Sequence, residues 1–300
     1  MVYCLGETVY DIIFRNGQPV AAMAGGSMLN SAVSLGRCGL DVAMITELGD
    51  DQVGDMVMAF LNENHVSTSF IRPAVGFKTP VSLAFIDEKG DAHYSFYKAY
   101  PENRLDLNWP EVKKGDVVLF GSFYSLHPAV HDKIAGFVRS AKEAGALTVY
   151  DPNIRRNHLR EIMTLMPSVE ENISLASIVR GSDEDFMNLF GLHNSEEVFN
   201  KIQDLGCNTL ILTRNAQGAE FYRDGVPVSV PAKPVDVVST IGAGDSFNAG
   251  IIFGLVKKGD ISIGEEDWKE ILGLGIDFAS EVCGSYENYI SLSSGLIAHG

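Results

Sequence analysis

Short apolar runs recur along the chain, each closed by a small or polar residue, and they set the first expectation of its architecture. Val2-Tyr3-Cys4-Leu5 ends at Gly6, and runs of the same kind occupy 42–45, 117–120, 147–150, 177–179 and 209–212. Runs this short predict strands buried on both faces. Between them lie amphipathic stretches at 27–38, 54–64, 129–144 and 195–205 whose length and periodicity suit helices. Alternation of this kind predicts βαβ units, with a mainly parallel sheet and helices on both faces. In such sheets ligands gather at the carboxyl ends of the strands.

Two segments break the rhythm. Val81-Ser82-Leu83-Ala84-Phe85 alternates, and Glu88-Lys89-Gly90-Asp91 reads as a hairpin turn, so 9–24 and 79–97 predict antiparallel ribbons. An exposed ribbon edge is a liability, which closure or pairing with a second copy would remove.

Composition narrows the picture. A chain of 300 residues with 46% hydrophobic and 21% charged residues suits one large α/β domain with ample core. Its formal net charge of −16 argues against a nucleic-acid partner, because such binding draws on Lys and Arg neutralising phosphates. A phosphate ligand would need local compensation. Cys4, Cys38, Cys207 and Cys283 form no Cys-x-x-Cys pair, as expected of isolated thiols in a reducing cytosol. Glu7 and Asp11 interrupt the start where a signal peptide would be apolar, and the run 249–256 is far too short to span a bilayer. A cytoplasmic protein without a membrane partner is expected.

The most informative chemistry lies in Gly242-Ala243-Gly244-Asp245, followed by Phe247, Ile251 and Leu255 at helical spacing. A glycine-rich turn at a helix start presents backbone amides and the positive end of the dipole to an anion, and Asp245 sets a carboxylate beside it. A base next to an anion cradle suggests phosphoryl transfer, although glycine and an early acid also make an ordinary helix start. The dinucleotide fingerprint is excluded because Phe247 stands where it needs glycine, and the P-loop because no Gly-Lys pair occurs. His127 and His131 share a helical spacing but have no evident third metal ligand.

Residues Thr240 to Phe247 closely resemble the C-terminal signature of the ribokinase-like (PfkB) sugar kinases, with Ser239 replacing the leading Asp of that pattern. Gly25-Gly26-Ser27-Met28-Leu29-Asn30-Ser31-Ala32, continued by Leu35-Gly36 and Gly49-Asp50-Asp51-Gln52-Val53-Gly54, resembles the N-terminal pattern of the same family. The resemblance covers essentially the whole chain. It implies an α/β fold of the ribokinase-like three-layer type, with a mainly parallel sheet and a small β lid. A single kinase domain over 1–300 is then expected, with lid strands inserted at about 9–24 and 79–100.

The resemblance also implies roles. Asp245 would take the proton of a primary sugar hydroxyl, with the amides of Gly242, Ala243 and Gly244 absorbing charge on the transferred group. Asp11, Gly25, Gly26 and Asn30 would hold the sugar, and Thr213, Gly218, Gly242 and Gly244 would lie along the nucleotide. Asp151-Pro152-Asn153-Ile154-Arg155 is similar to the branch containing fructokinases and 2-keto-3-deoxygluconate kinases; there Asp151, Asn153 and Arg155 would contact sugar, a Mg²⁺-bound water or phosphate. Asp185 would be a metal ligand, since Ser182-Asp183-Glu184-Asp185 occupies the place of the family's Asn-x-x-Glu element; a helix cap accounts for it equally well. Expected cofactors are ATP and Mg²⁺, with K⁺ as a further candidate, and a homodimer through the lid is the expected assembly. Fructose is the preferred substrate, ahead of 2-keto-3-deoxygluconate, then ribose and nucleosides. A sugar-binding regulator without turnover is the alternative from another class.

Overall fold

A computed structural model describes residues 1–86, 92–154, 159–223, 226–259 and 261–296. The chain opens with β1 (Val2–Leu5), the hairpin β2 (Val9–Arg15) and β3 (Gln18–Gly25), then α1 (Ser27–Arg37), β4 (Val42–Ile45), α2 (Gln52–Glu63) and β5 (Val66–Ser67). There follow β6 (Lys78–Ile86), β7 (Ala92–Ala99), β8 (Val117–Gly121), α3 (Pro128–Glu143), β9 (Leu147–Asp151), α4 (Leu159–Leu175) and β10 (Ile178–Ser182). The last part holds α5 (Asp183–Phe190), α6 (Ser195–Asp204), β11 (Leu210–Thr213), β12 (Ala219–Arg223), β13 (Val226–Val230), α7 (Ala243–Lys258) and α8 (Glu265–Cys283).

Nine strands form the main sheet in the order β13-β12-β11-β10-β9-β8-β1-β4-β5. The pairings from β11 to β5 are parallel, and β12 and β13 add an antiparallel edge. Successive side chains of the parallel strands enter opposite cores, which is why their sequences read as unbroken apolar runs. Val2 and Cys4 of β1 join one cluster with α1, α2, α7 and α8, while Tyr3 and Leu5 join a second with α3, α4, α5 and α6. The result is the three-layer α/β arrangement that the pattern predicts.

The two expected ribbons meet in a separate sheet of four strands, ordered β3-β2-β6-β7. Within each ribbon the pairing is antiparallel, and β2 joins β6 in parallel. Asn16 and Gly17 close the first hairpin with φ of 52° and 73°, the left-handed pair that a tight hairpin turn requires. The turn expected at Glu88-Lys89-Gly90-Asp91 lies outside the described residues. No helix of the described residues is long and apolar enough to cross a membrane.

Asp51 stitches the two sheets together. It caps α2 by accepting from the Gly54 amide at 2.9 Å, and accepts from the Thr79 amide and hydroxyl at 3.0 and 2.8 Å. Burial opposes its ionisation, but these bonds outweigh it and hold the carboxyl below its ordinary range. We expect Asp51→Ala to lower stability at neutral pH by about 1–2 kcal/mol, the worth of a helix cap with its added bonds. A carboxyl whose folded pKa is depressed contributes stability above its unfolded pKa and loses it as pH falls through the folded one. The gap between variant and wild type in urea midpoints should therefore narrow below about pH 4.

Candidate active site

Every long parallel strand delivers a polar residue to the same edge of the main sheet. Glu7 follows β1, Glu47 follows β4, Tyr124 follows β8, Asp151 ends β9, Ser182 ends β10 and Thr213 ends β11. The start of α7 and the start of α1 meet at this edge. Gly242 caps α7 with φ 80°, and a Cβ there would lie 2.4 Å from the Asn288 carbonyl oxygen, so glycine is required twice over.

The two remote motifs converge on one carboxylate. Asp245 Oδ1 accepts from the Ser27 hydroxyl at 2.5 Å, and Oδ2 accepts from the Asn30 amide nitrogen at 2.8 Å. The Ser31 hydroxyl donates to the Asp245 carbonyl at 2.8 Å, so main chain and side chain are both tethered to α1. A carboxylate only accepts, which fixes the Asn30 amide with its nitrogen toward Asp245. Asn30 Oδ1 is buried without a hydrogen-bond partner and remains an acceptor for a hydroxyl. The Ala243 amide turns back to the Thr240 carbonyl at 3.3 Å, and Gly244 lies against the Arg180 guanidinium.

The other expected sugar residues sit beside this pair. Gly26, at φ 128°, lies so close to the Glu7 carbonyl oxygen that a Cβ would approach it to 2.3 Å. Gly25 packs on Asp11, whose carboxylate also receives the Ser82 hydroxyl. Glu7 is engaged by Lys98 at 2.6 Å and by the Tyr100 hydroxyl. Glu47 accepts from Arg104 at 2.7 Å and from the Tyr124 hydroxyl at 2.9 Å. The Arg104 guanidinium is 3.5 Å from the centre of the Tyr100 ring. Sequence reasoning missed Glu47, Arg104, Tyr124 and the pairing of Glu7. For the two glutamates the signal was positional, because Leu5 and Ile45 are in register and each is followed two residues later by a glutamate.

Behind the cradle the arrangement differs from expectation. Asp151, expected to contact sugar or a metal-bound water, is 1% exposed, and its Oδ2 accepts from Arg180 at 2.9 Å and Asn248 at 2.5 Å. Its Oδ1 accepts from the Asn153 amide at 3.0 Å. Asp151 is thus an internal clamp between β10 and α7. Arg180 also donates to Thr213 at 3.0 Å, so that hydroxyl is drawn inward, while Gly218 stands in the turn into β12. Neither Arg180 nor Asn248 was singled out from the sequence. Asn248 was findable as the residue one turn beyond Asp245.

Asp185, expected as a metal ligand, is instead the capping-box partner of Ser182. Its Oδ2 accepts from the Ser182 amide and hydroxyl, and its Oδ1 from the Ile154 amide at 2.7 Å. Burial, with the Asp151 carboxylate nearby, pushes its carboxyl upward. A buried carboxylate closed around such donors is poorly placed to face a phosphate-borne ion. Asn153 is in the left-handed region at φ 43°, and Arg155 lies outside the described residues.

The family pattern matches the pfkB family of carbohydrate kinases over residues 1–294. The chain belongs to that family. This pfkB kinase is 29% identical over 263 residues to a fructokinase of Rhizobium leguminosarum bv. trifolii, covering 85% of this chain and 79% of that one. It is 30% identical over 262 residues to fructokinase-1 of Zea mays, covering 83% and 79% respectively. Its fold matches fructokinase from Vibrio cholerae O395 in the fructose, ADP and calcium ion bound form, with a TM-score of 0.83, 21% identity and coverage of 99% and 97%. The aminoimidazole riboside kinase of Salmonella enterica, complexed with aminoimidazole riboside and an ATP analog, also matches with a TM-score of 0.83, at 22% identity and coverage of 97% and 96%. Family membership makes this an ATP-dependent sugar kinase.

The clamp gives a direct test of the site's foundation. Asp151→Ala should lower stability by about 3–5 kcal/mol, because it leaves the Arg180 charge buried beside α7 without its partner. Asp151→Asn, whose amide oxygen still accepts from Arg180, should cost less. Urea denaturation of both variants measures the difference.

Proposed function

We propose that this kinase transfers the γ-phosphoryl group of ATP to the primary hydroxyl of fructose, giving fructose 6-phosphate, with Asp245 as general base. The observation that carries the reading is the Asp245 carboxylate at the start of α7, fixed by Ser27 and Asn30 from the start of α1. In the proposed step Asp245 receives the hydroxyl proton, the oxygen bonds to the γ-phosphorus and the bond to ADP breaks. The first amides of α7, at Gly242–Gly244, would absorb charge developing on the transferred group, that of Ala243 by exchanging the Thr240 carbonyl for it.

The choice of a neutral sugar is supported by the charges at the strand ends. Lys98 is paired with Glu7 and Arg104 with Glu47. To use Lys98 or Arg104, a sugar acid such as 2-keto-3-deoxygluconate would have to compete with these internal carboxylates, whereas a neutral ketose needs neither cation. Asp11 and the unpartnered Asn30 Oδ1 suit hydroxyl recognition. The relatives named fructokinase point the same way, and those named aminoimidazole riboside kinase make that riboside the second reading.

The small sheet would close over the sugar, and a second copy would cover its exposed Phe85, Phe96 and Tyr97. Among the described residues no group of three or more His, Cys, Asp or Glu is placed to hold a metal ion. Mg²⁺ would therefore be carried mainly by the nucleotide phosphates and water, where it neutralises phosphate charge.

ADP release measured over fructose, 2-keto-3-deoxygluconate, aminoimidazole riboside and ribose should rank fructose first in kcat/KM; any other sugar ranking first overturns the substrate assignment. Sugar binding without turnover would mark a regulator instead. Asp245→Asn should lower kcat by about 10²–10⁴-fold, the usual contribution of a general base, while sugar and nucleotide still bind in calorimetry. Near wild-type turnover in that variant places the base elsewhere.

A further inference from the structure

We propose that Glu47 sets the charge selectivity of the sugar site, by holding the Arg104 guanidinium that would otherwise capture the carboxylate of a sugar acid. The inference deepens the reading of a neutral sugar as substrate and rests on it.

The two residues meet at the sheet edge that carries the sugar-holding elements. Leu5 of β1 is in register with Ile45 of β4 and Phe120 of β8, so Glu7, Glu47 and Tyr124 follow three neighbouring strand ends. Arg104 reaches them from the segment that returns from β7 of the small sheet. Its guanidinium lies 3.5 Å from the centre of the Tyr100 ring, and the Tyr100 hydroxyl donates to Glu7. The Glu7 carbonyl abuts Gly26, the residue before Ser27 and its bond to Asp245.

This pair is built unlike the one beside it. Lys98 and Glu7 leave 31% and 21% of their side chains exposed, so their attraction is screened and weak. Arg104 and Glu47 leave only 3% and 9% exposed. Glu47 accepts from Arg104 Nε at 2.7 Å, from the Leu105 amide at 2.5 Å and from the Tyr124 hydroxyl at 2.9 Å. Burial, with the Glu47 carboxylate close by, keeps the Tyr124 phenol protonated well above its ordinary range, so it remains a donor. Glu47 is thus fixed from three sides, and a ligand carboxylate cannot easily take its place.

Yet Glu47 engages only one nitrogen of the guanidinium, and Arg104 Nη2 is buried without a hydrogen-bond partner. A planar guanidinium binds a carboxylate best through two adjacent N–H groups at once. Without the Glu47 charge, Arg104 would be a buried cation with no counter-charge, a costly state that a carboxylate on the substrate relieves. Released, the long side chain also has rotamers that turn its fork toward a ligand. Fructose brings no such group, and a sugar acid does. The neighbouring bases do not replace Arg104 in this role. Lys133 donates to the Asn103 side chain and the Arg104 carbonyl. His127 accepts the Ala129 amide on Nδ1 at 3.2 Å, and burial, with Arg104 nearby, lowers its pKa, so the ring stays uncharged. Glu47 is therefore a specificity residue that acts through Arg104.

The test is ADP release from Mg-ATP with fructose and with 2-keto-3-deoxygluconate, in wild type, Glu47→Gln, Glu47→Asp and the double variant Glu47→Gln/Arg104→Met. The ratio of kcat/KM for the sugar acid to that for fructose should rise about tenfold in Glu47→Gln, through KM, the factor carried by one charge-assisted hydrogen bond. Glu47→Asp keeps the charge and should hold the wild-type ratio. The double variant has no guanidinium and should lose the gain. Thermal melting checks folding of each. If Glu47→Gln does not fold, Arg104→Met reads the pair from the other side. It leaves the Glu47 charge to repel a sugar acid, so 2-keto-3-deoxygluconate should inhibit fructose turnover less than in wild type. A merely structural role slows both sugars alike, so an unchanged ratio in folded Glu47→Gln, or unchanged inhibition in folded Arg104→Met, overturns the proposal alone. A gain that survives in the double variant also overturns it. Wild type that prefers 2-keto-3-deoxygluconate overturns it together with the neutral-sugar reading, and wild type that turns over no sugar overturns it together with the kinase reading.

Discussion

The proposed base, Asp245, needs a fixed orientation, and hydrogen bonds from the first turn of a helix more than half the chain away contribute it. Ser27 and Asn30 each take one carboxylate oxygen, while Ser31 takes the carbonyl of the same residue. These bonds require α1 and α7 to lie side by side, starting at the same edge of the sheet. That in turn requires the apolar faces of both helices to share one core with β1, β4 and α8. Hydrophobic burial sets the coarse position, and directional bonds, those from Ser27, Asn30 and Ser31 among them, then set the angle of the carboxylate.

Charge follows the same logic. A chain of net charge −16 that handles a polyanionic nucleotide cannot rely on its average field. Among the described residues, Lys98 is paired with Glu7, Arg104 with Glu47 and Arg180 with Asp151. With these cations engaged, the backbone amides at the start of α7 are the attraction for phosphate in the proposed reading. Arg180 contributes indirectly, since it lies against Gly244 and ties β10 to α7 through Asp151 and Asn248. The clamp supports the start of α7 from behind.

Part of this was legible in the residues. The parallel strands were readable because both faces are buried, so each appears as a short apolar run; the small sheet was readable because one of its strands alternates. Helix α7 was partly hidden. It is buried nearly all round between α1 and α8, so its periodicity is weak, and its glycine-rich start carried the signal instead. Helix α4 contains Pro167, which argues against a helix on local grounds, and tertiary packing of Ile162, Val169 and Ile173 overrides it. Asp151 and Asp185 show the opposite limit. Their motif places them near a site, and whether each faces the ligand or the interior depends on Arg180, Asn248 and the Ile154 amide, none adjacent in the chain.

By itself the sequence determined the layer architecture, the family and the identity of the two motifs, because period, turn chemistry and motif spacing are local properties of the chain. The tertiary structure alone decided which groups those motifs touch. Hydrogen bonds between Ser27 and Asp245, or between Asn248 and Asp151, join residues whose separation carries no local signal. Such bonds form only after burial of both helices has brought their starts to one edge.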